Sequence, residues 1–437
     1  MEVFNEQYQN QQDSDSLWVE TLKKFNTENA DKRSFTDRVS VDVKEQFTYN
    51  LFHYLKNEFN PSQTVKPAIE TMVQVLISLR ISLREFTEKD RNIVKNELNI
   101  FFKLGNIGEA EKIKIYDNSI REEALKCIVN CISRDPVIQN TFLVEMNGPI
   151  TLTREVRKNS QEMSEGLLDV IYKVLVHCCA KPEIKLALRP EGLLEFVTEQ
   201  LLTKVTTTES ITKSAPLLAD LCRLLFTLTI HLGPLEGGRP TPPNHLELEG
   251  CRRLLPIFKK IITQYTPSNN SSDPIYNLKC AVISALINTP KDLYDELIEE
   301  IPLTYFQEIF KSQIHLLSSP ETAAEFLPIL MLLTNTAENV VPTRQQLKEM
   351  TFPYDLIKET DEPLSVGIEP PEEVKKTGIS SKLIPFMTGS DIGLKHFVSE
   401  YFFMICDEDA NEVCRLTGFG NAAGLLVTRG LMSLGGK

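Results

Sequence analysis

Apolar residues recur at helical spacing along almost the whole chain. The clearest case lies near its end, where Leu394, Phe397, Val398, Tyr401, Phe402 and Ile405 fall at i, i+3, i+4, i+7, i+8 and i+11. That spacing puts them on one helical face. Ser390 stands where a helix N-cap belongs, with Asp391 beside it to suit the helix dipole. Ile69, Met72, Val73, Leu76 and Leu83 predict another helix, and Leu125, Ile128, Val129 and Ile132 a third. Leu278, Val282, Ala285 and Leu286 mark a fourth, and Phe326, Leu330 and Leu333 a fifth. Trp18, Val19, Leu22 and Phe25 predict a capping helix near the start. No set of alternating strands bounded by hairpin turns stands out, so the expected class is all-α.

The most apolar helices lie over one another as a repeat: LKCIVNCI (125–132), YKVLVHCC (172–179), CRLLFTLT (222–229), ISALINTP (283–290) and LMLLTNTA (330–337). Taking Asn130, His177, Thr227, Asn288 and Asn335 as equivalent gives steps of 47, 50, 61 and 47. Armadillo and HEAT repeats have a period of about 40–47 residues. The long step contains two stretches rich in turn formers, 233–244 and 266–274, and a third Pro-broken acidic stretch lies near 351–380. The expectation is therefore an armadillo/HEAT-like repeat superhelix, an α-solenoid. It forms one domain over 17–432 with loop insertions at those three places, after a disordered polar tract at 1–16. Stacked repeats of this kind create a continuous core and an extended concave surface.

Composition narrows the function. The 437 residues carry a net charge of −13, which disfavours binding to nucleic acid phosphates. The start, MEVFNEQYQNQQDSDS, is polar and acidic, and the nine cysteines sit in apolar helical patterns. A cytoplasmic chain with reduced thiols is expected. The stretch 215–235 is apolar but contains Asp220, Arg223 and His231, which fits a buried helix better than a membrane span. Cys127 and Cys131 lie four apart, without the further ligands that structural zinc needs. The six histidines form no H-E-x-x-H or triad-like pattern. No catalytic residue, metal or cofactor is expected, and an enzyme with an unrecognised site is the weakest reading.

TGFGNAAG places glycines at 418, 420 and 424. A dinucleotide fingerprint needs a strand before it and a different spacing. Here the pattern predicts a helix before it, so Gly418 reads as a helix C-cap, with a new helix over 421–431. Asn130, Asn288 and Asn335 recur at one repeat position although asparagine is a poor helix former. Two readings stand. An asparagine ladder on an inner groove could clamp the main chain of a bound peptide, since each amide donates and accepts. Alternatively, the amides cap the ends of their own helices. Arg80, Arg84 and Arg134 fall near the corresponding helix ends and could offer positive charge to a peptide carboxylate or acidic side chain.

The stretch LIPFMTGSDIGLKHFVSEYFFMICDEDANEVCRLTGFGNAAGLLVTRGLM (383–432) resembles the C-terminal repeat of the synembryn family. Its most specific part is TGFGNAAGLL followed by RGLM, which contains Gly418, Gly420, Asn421, Gly424 and Arg429. EALKCIVNCIS (123–133), LADLCRLLFTLTI (218–230) and LKCAVISALINTP (278–290) resemble the family in the same order. Members are cytosolic chaperones and guanine nucleotide exchange factors for heterotrimeric G-protein α subunits. The resemblance implies a partner, the GDP-bound or nascent α subunit, whose C-terminal helix is gripped in the concave groove until GTP releases it. It implies a groove position for Asn130, with Arg80 and Arg84 near a basic pair, and no catalytic side chain. Thr227 stands where relatives have asparagine. It further implies a monomer in the cytoplasm, recruited to the plasma-membrane periphery without insertion. Relatives continue past RGLM, whereas residues 433–437 read as a truncated or absent tail. The competing expectation is a general armadillo adaptor that carries extended peptides.

Overall fold

The computed structural model describes residues 1–9, 15–32, 39–58, 69–107, 117–230, 245–266, 272–318, 320–352 and 378–432. These residues are all-α, without a strand among them. They fall into two compact units, Met1–Phe196 and Val197–Lys437, where the sequence predicted one repeat domain over 17–432. The stretch 233–244, most of 266–274 and of 351–380, and residues 433–437 lie outside the described residues.

The first unit contains α1 (Glu2–Gln9), α2 (Asp15–Asn29), α3 (Val41–Glu58), α4 (Ile69–Ser82) and α5 (Glu88–Leu104). It continues with α6 (Asn118–Arg134), α7 (Pro136–Asn140), α8 (Gly148–Asn159), α9 (Glu165–Cys178) and α10 (Pro182–Leu188). Helix α11 (Leu193–Lys204) carries the division. Alternate helices make two rows. In one, α2 packs on α4, α4 on α6 and α6 on α9. In the other, α1 packs on α3, α3 on α5 and α5 on α7. This is how stacked helical repeats bury faces that no single repeat could bury alone. The tract expected to be disordered instead holds α1. Phe4 explains it: the ring is 1% exposed and packs edge-on against Trp18 and Phe47. Asn5 and Tyr8 add to this seat: the Asn5 amide donates to Val43 O at 3.1 Å, and the Tyr8 ring stacks on Phe4.

The second unit contains α12 (Thr208–Thr229), α13 (His245–Ile262), α14 (Pro274–Leu286), α15 (Tyr294–Glu300), α16 (Leu303–Gln313) and α17 (Pro320–Asn339). Then come α18 (Pro342–Thr351), α19 (Ser380–Leu383), α20 (Ile392–Ile405), α21 (Ala410–Thr417) and α22 (Phe419–Thr428). Its core row runs α12, α14, α17, α20. The apolar segments that carried the repeat lie in these core rows, on or at the ends of α6 and α9 in the first unit and α12, α14 and α17 in the second.

Side-chain oxygens set where these helices begin. Asp117 accepts from Ser119 N at 2.8 Å, Ser164 from Leu167 N at 3.2 Å, and Asp273 from Ile275 N at 2.8 Å. Each satisfies a backbone donor that has no partner inside the helix. At α20 the cap is Asp391, which accepts from Leu394 N at 2.9 Å. The sequence had placed it at Ser390. Aspartate caps as well as serine does, and its charge also suits the dipole, so the boundary moves by one residue.

Candidate functional site

The core rows bring the repeat asparagines to one kind of place. Asn130 lies on α6, and its Nδ2 donates to Arg80 O at 2.8 Å, in the last turn of α4. Asn288 follows α14, and its Nδ2 donates to Phe226 O at 2.9 Å and to Thr229 Oγ1 at 3.0 Å, at the end of α12. Asn335 lies on α17 and donates to Ile287 O at 3.2 Å, just past the end of α14. The last carbonyls of a helix have no partner within it. In three places the amide that satisfies one comes from the next core helix. The reading in which they cap their own helices is corrected: the asparagines cap helix ends, but those of the preceding repeat. Thr227, at the equivalent position on α12, turns its hydroxyl back to Arg223 O at 2.5 Å and makes no such link.

The arginines of the first unit join this network. Arg80 Nε donates to Glu123 Oε2 on α6 at 2.8 Å, and Lys126 Nζ reaches the same carboxylate at 2.8 Å and Glu122 at 2.6 Å. Arg84 Nη1 donates to Ala30 O at 2.6 Å and to Lys32 O at 3.1 Å, just beyond the end of α2. A cation there suits the negative end of the helix dipole. Burial first, and then the nearby Arg80 charge, hold the Arg84 guanidinium below its ordinary range. Arg134 is exposed. Thus Arg80 and Arg84 are fixed by their own protein, and Arg134 is the cation of the three presented to solvent.

The glycine-rich motif is a junction between helices. Gly418 ends α21 and precedes α22 with φ +87°, a conformation that only glycine adopts without strain. Asn421 Nδ2 donates to Thr417 O at 2.7 Å and closes the end of α21. A Cβ on Gly420 would meet nothing within 4 Å, and one on Gly424 would meet only the Lys395 side chain at 3.6 Å. Helix α22 starts at Phe419, two residues earlier than predicted. Arg429 pairs with Glu400 on α20 and sits 4.8 Å over the Phe403 ring, and the carboxylate holds its guanidinium above the usual range. The element before the motif is a helix, so the strand that a nucleotide fingerprint requires is not there.

Ion pairs spread over distant sequence were not legible. Buried Lys44 and Asp90 join α3 to α5, and buried Arg121 meets Glu155 at 3.0 Å between α6 and α8. Arg344 on α18 donates to Ala337 O at 2.8 Å and reaches Glu408 at 3.2 Å and Asp407 at 3.5 Å. Both acidic residues hold positive φ at the end of α20. Only the turn they form, DEDAN, could have hinted at this.

Burial pushes the Cys251 thiol up to about 11 and those of Cys179 and Cys406 up to about 12, so all three stay protonated and unreactive at neutral pH. The described residues contain no group of three or more His, Cys, Asp or Glu placed to hold a metal ion. No described helix is long and apolar enough to cross a membrane. Within α12, the charges at Asp220 and Arg223 pair at 2.5 Å.

A family model described as guanine nucleotide exchange factor synembryn matches residues 75–436. Among relatives, Chaperone Ric-8A of Pongo abelii is 24% identical over 457 residues, 95% of this chain and 77% of that one. Chaperone Ric-8A of Xenopus laevis is 25% identical over 265 residues, 58% of this chain and 44% of that one. Chaperone Ric-8A of Gallus gallus is 35% identical over 108 residues, 25% of this chain and 18% of that one. The matched stretch thus takes in less than half of the Xenopus laevis and Gallus gallus proteins. A solved structure of an engineered protein aligns with a TM-score of 0.38 and 13% identity, over 70% of this chain and 96% of that one, which is too slight a likeness to bear on the fold.

Proposed function

This chain belongs to the guanine nucleotide exchange factor synembryn family, and we propose that it binds α subunits of heterotrimeric G proteins in their GDP-bound or nascent state. In this reading the surface over the core rows takes the C-terminal helix of the α subunit. Drawing that helix away loosens the nucleotide, and the empty α subunit is chaperoned until GTP displaces it. The observation that carries the reading is the family match over residues 75–436. Exchange of this kind requires preferential binding of the empty partner and no side chain that makes or breaks bonds. Shifting a partner from 1:99 to 99:1 in favour of the empty state takes about a 10⁴-fold preference, or about 5.5 kcal/mol. A large interface supplies that more readily than a single contact.

The hydrogen bonds of these residues support separate roles for them in this reading. Asn130, Asn288 and Asn335 have Nδ2 committed to helix-end carbonyls. They would act mainly by fixing the spacing of core helices. Arg134, exposed to solvent, is the better-placed cation for an acidic partner segment.

The test is co-elution of the purified chain with GDP-loaded α subunits, with and without excess non-hydrolysable GTP analogue. A complex that forms with GDP and dissolves with the analogue is expected. No complex with any α-subunit class, with both proteins folded, would overturn the reading.

A further inference from the structure

Outside the core rows, a cavity of about 230 Å³ opens between α3 and α5 of the first unit. Tyr49, Phe52, His53 and Lys56 line it from α3, and Asn92, Ile93, Asn96 and Glu97 from α5. We propose that this cavity docks one bulky neutral side chain of a partner polypeptide, whose flanking main chain lies across Asn92 and Asn96.

The lining sets the chemistry of the occupant. Phe52 is 2% exposed and supplies an apolar floor, while Tyr49 stands 52% exposed at the edge. The Tyr49 and His53 rings stack at 6.1 Å and 23° to form one wall. That wall is fixed from behind. The Asn57 amide meets His53 Nδ1 at 3.2 Å, and the Tyr8 hydroxyl on α1 meets the same nitrogen at 2.9 Å. The only charges in the lining, Lys56 and Glu97, pair with each other at 2.9 Å. A neutral rim over an aromatic floor matches a neutral apolar or aromatic side chain.

The amides argue for a polypeptide. Asn92 and Asn96 lie one turn apart on α5, both exposed, and neither makes a side-chain hydrogen bond among the described residues. Each offers donors and an acceptor, which complements a peptide C=O and N–H. The volume falls below the roughly 300–1,000 Å³ usual for drug-sized ligands, so it holds one side chain. This inference stands apart from the proposed function, because the residues belong to the other row of helices.

The test uses the full chain and ligand-observed saturation-transfer NMR. The probes are N-acetyl-tryptophanamide, N-acetyl-leucinamide and free indole. The variants are Ile93→Lys, which plugs the cavity from a half-buried position, and the double variant Asn92→Ala/Asn96→Ala at exposed positions, with folding checked by circular dichroism. The blocked amides are expected to bind, to lose at least about fivefold in affinity with Ile93→Lys, and to lose roughly threefold to tenfold without the asparagines, as two lost hydrogen bonds would give. Equal binding to wild type and Ile93→Lys would overturn the site. Indole binding as tightly as N-acetyl-tryptophanamide, with no effect of the double variant, would overturn the polypeptide and leave an apolar cavity for small molecules.

Discussion

Replacing Asn288 with alanine removes the two hydrogen bonds that its amide sends to the end of α12, at 2.9 and 3.0 Å. A net contribution of about 0.5–1.5 kcal/mol per bond puts the loss at roughly 1–3 kcal/mol. The lower half of that range is expected. Phe226 O also accepts from Ile230 N at 3.1 Å, and Asn288 is only half-buried, so water can replace part of what is lost. About 1–2 kcal/mol corresponds to a fall of about 2–8 °C in Tm for a unit of this size. Because the chain has two units, a single melting curve mixes their transitions. Native-state hydrogen exchange read at amides in the last two turns of α12 and in α14 separates them. Protection there should drop by about 5- to 30-fold, with α2–α9 unchanged. Unchanged protection, together with a tenfold loss of α-subunit binding, would refute the reasoning. The amide would then be a partner clamp, as one sequence reading held.

Three further outcomes are expected. Gly418→Ala forces a side chain into φ +87° and should cost about 1–3 kcal/mol, whereas Gly420→Ala should be neutral or slightly stabilising; equal damage at both, seen by thermal melts, would contradict the junction geometry. Lys44→Met leaves the Asp90 carboxylate buried without its cation and should cost about 3–5 kcal/mol by denaturant titration, and the pair replacement Lys44→Met/Asp90→Leu should recover much of it. Asp135 is buried, which raises its pKa, but the Arg91 guanidinium and the N–H groups of Ile138 and Val137 outweigh that and hold it below the usual carboxylate range. Its contribution is therefore present above the unfolded value near 3.9 and lost as pH falls through the lower folded value. The stability gap between wild type and Asp135→Asn should be constant from pH 5 to 7 and should close below about pH 4; a gap that persists in acid would reverse the sign.

The core helices were legible because burying one face of a helix leaves a periodic trace in sequence. Leu394, Val398, Tyr401, Phe402 and Ile405 are all buried in α20. Val73 and Val129, read with the same confidence of spacing, are only half-buried, since periodicity marks a face and not its depth. The site was legible in part. The asparagines stood out because they sit in helices against their propensity. Their acceptors did not, although the separations of 50, 62 and 48 residues are close to the repeat steps, so the signal was present. Lys44 with Asp90 and Arg344 with Glu408 left no trace, because a pairing between distant elements needs no local pattern. Helix α1 was missed for a related reason: the average polarity of residues 1–16 hid the few side chains, Phe4 foremost, that seat it.

The asparagine links also bear on how such a chain can grow. The link across the step that holds the 231–244 stretch spans 62 residues, against 48 and 50 for the others, yet its length of 2.9 Å is no different. Register between neighbouring repeats is therefore read at the ends of helices and is blind to the length of chain between them. Because doubling a loop costs only about 0.6 kcal/mol, connecting segments can be inserted, trimmed or exchanged without retuning the joint. Three joints thus share one fitting, an amide donated to a carbonyl at the end of the preceding core helix, whatever the length of the connector.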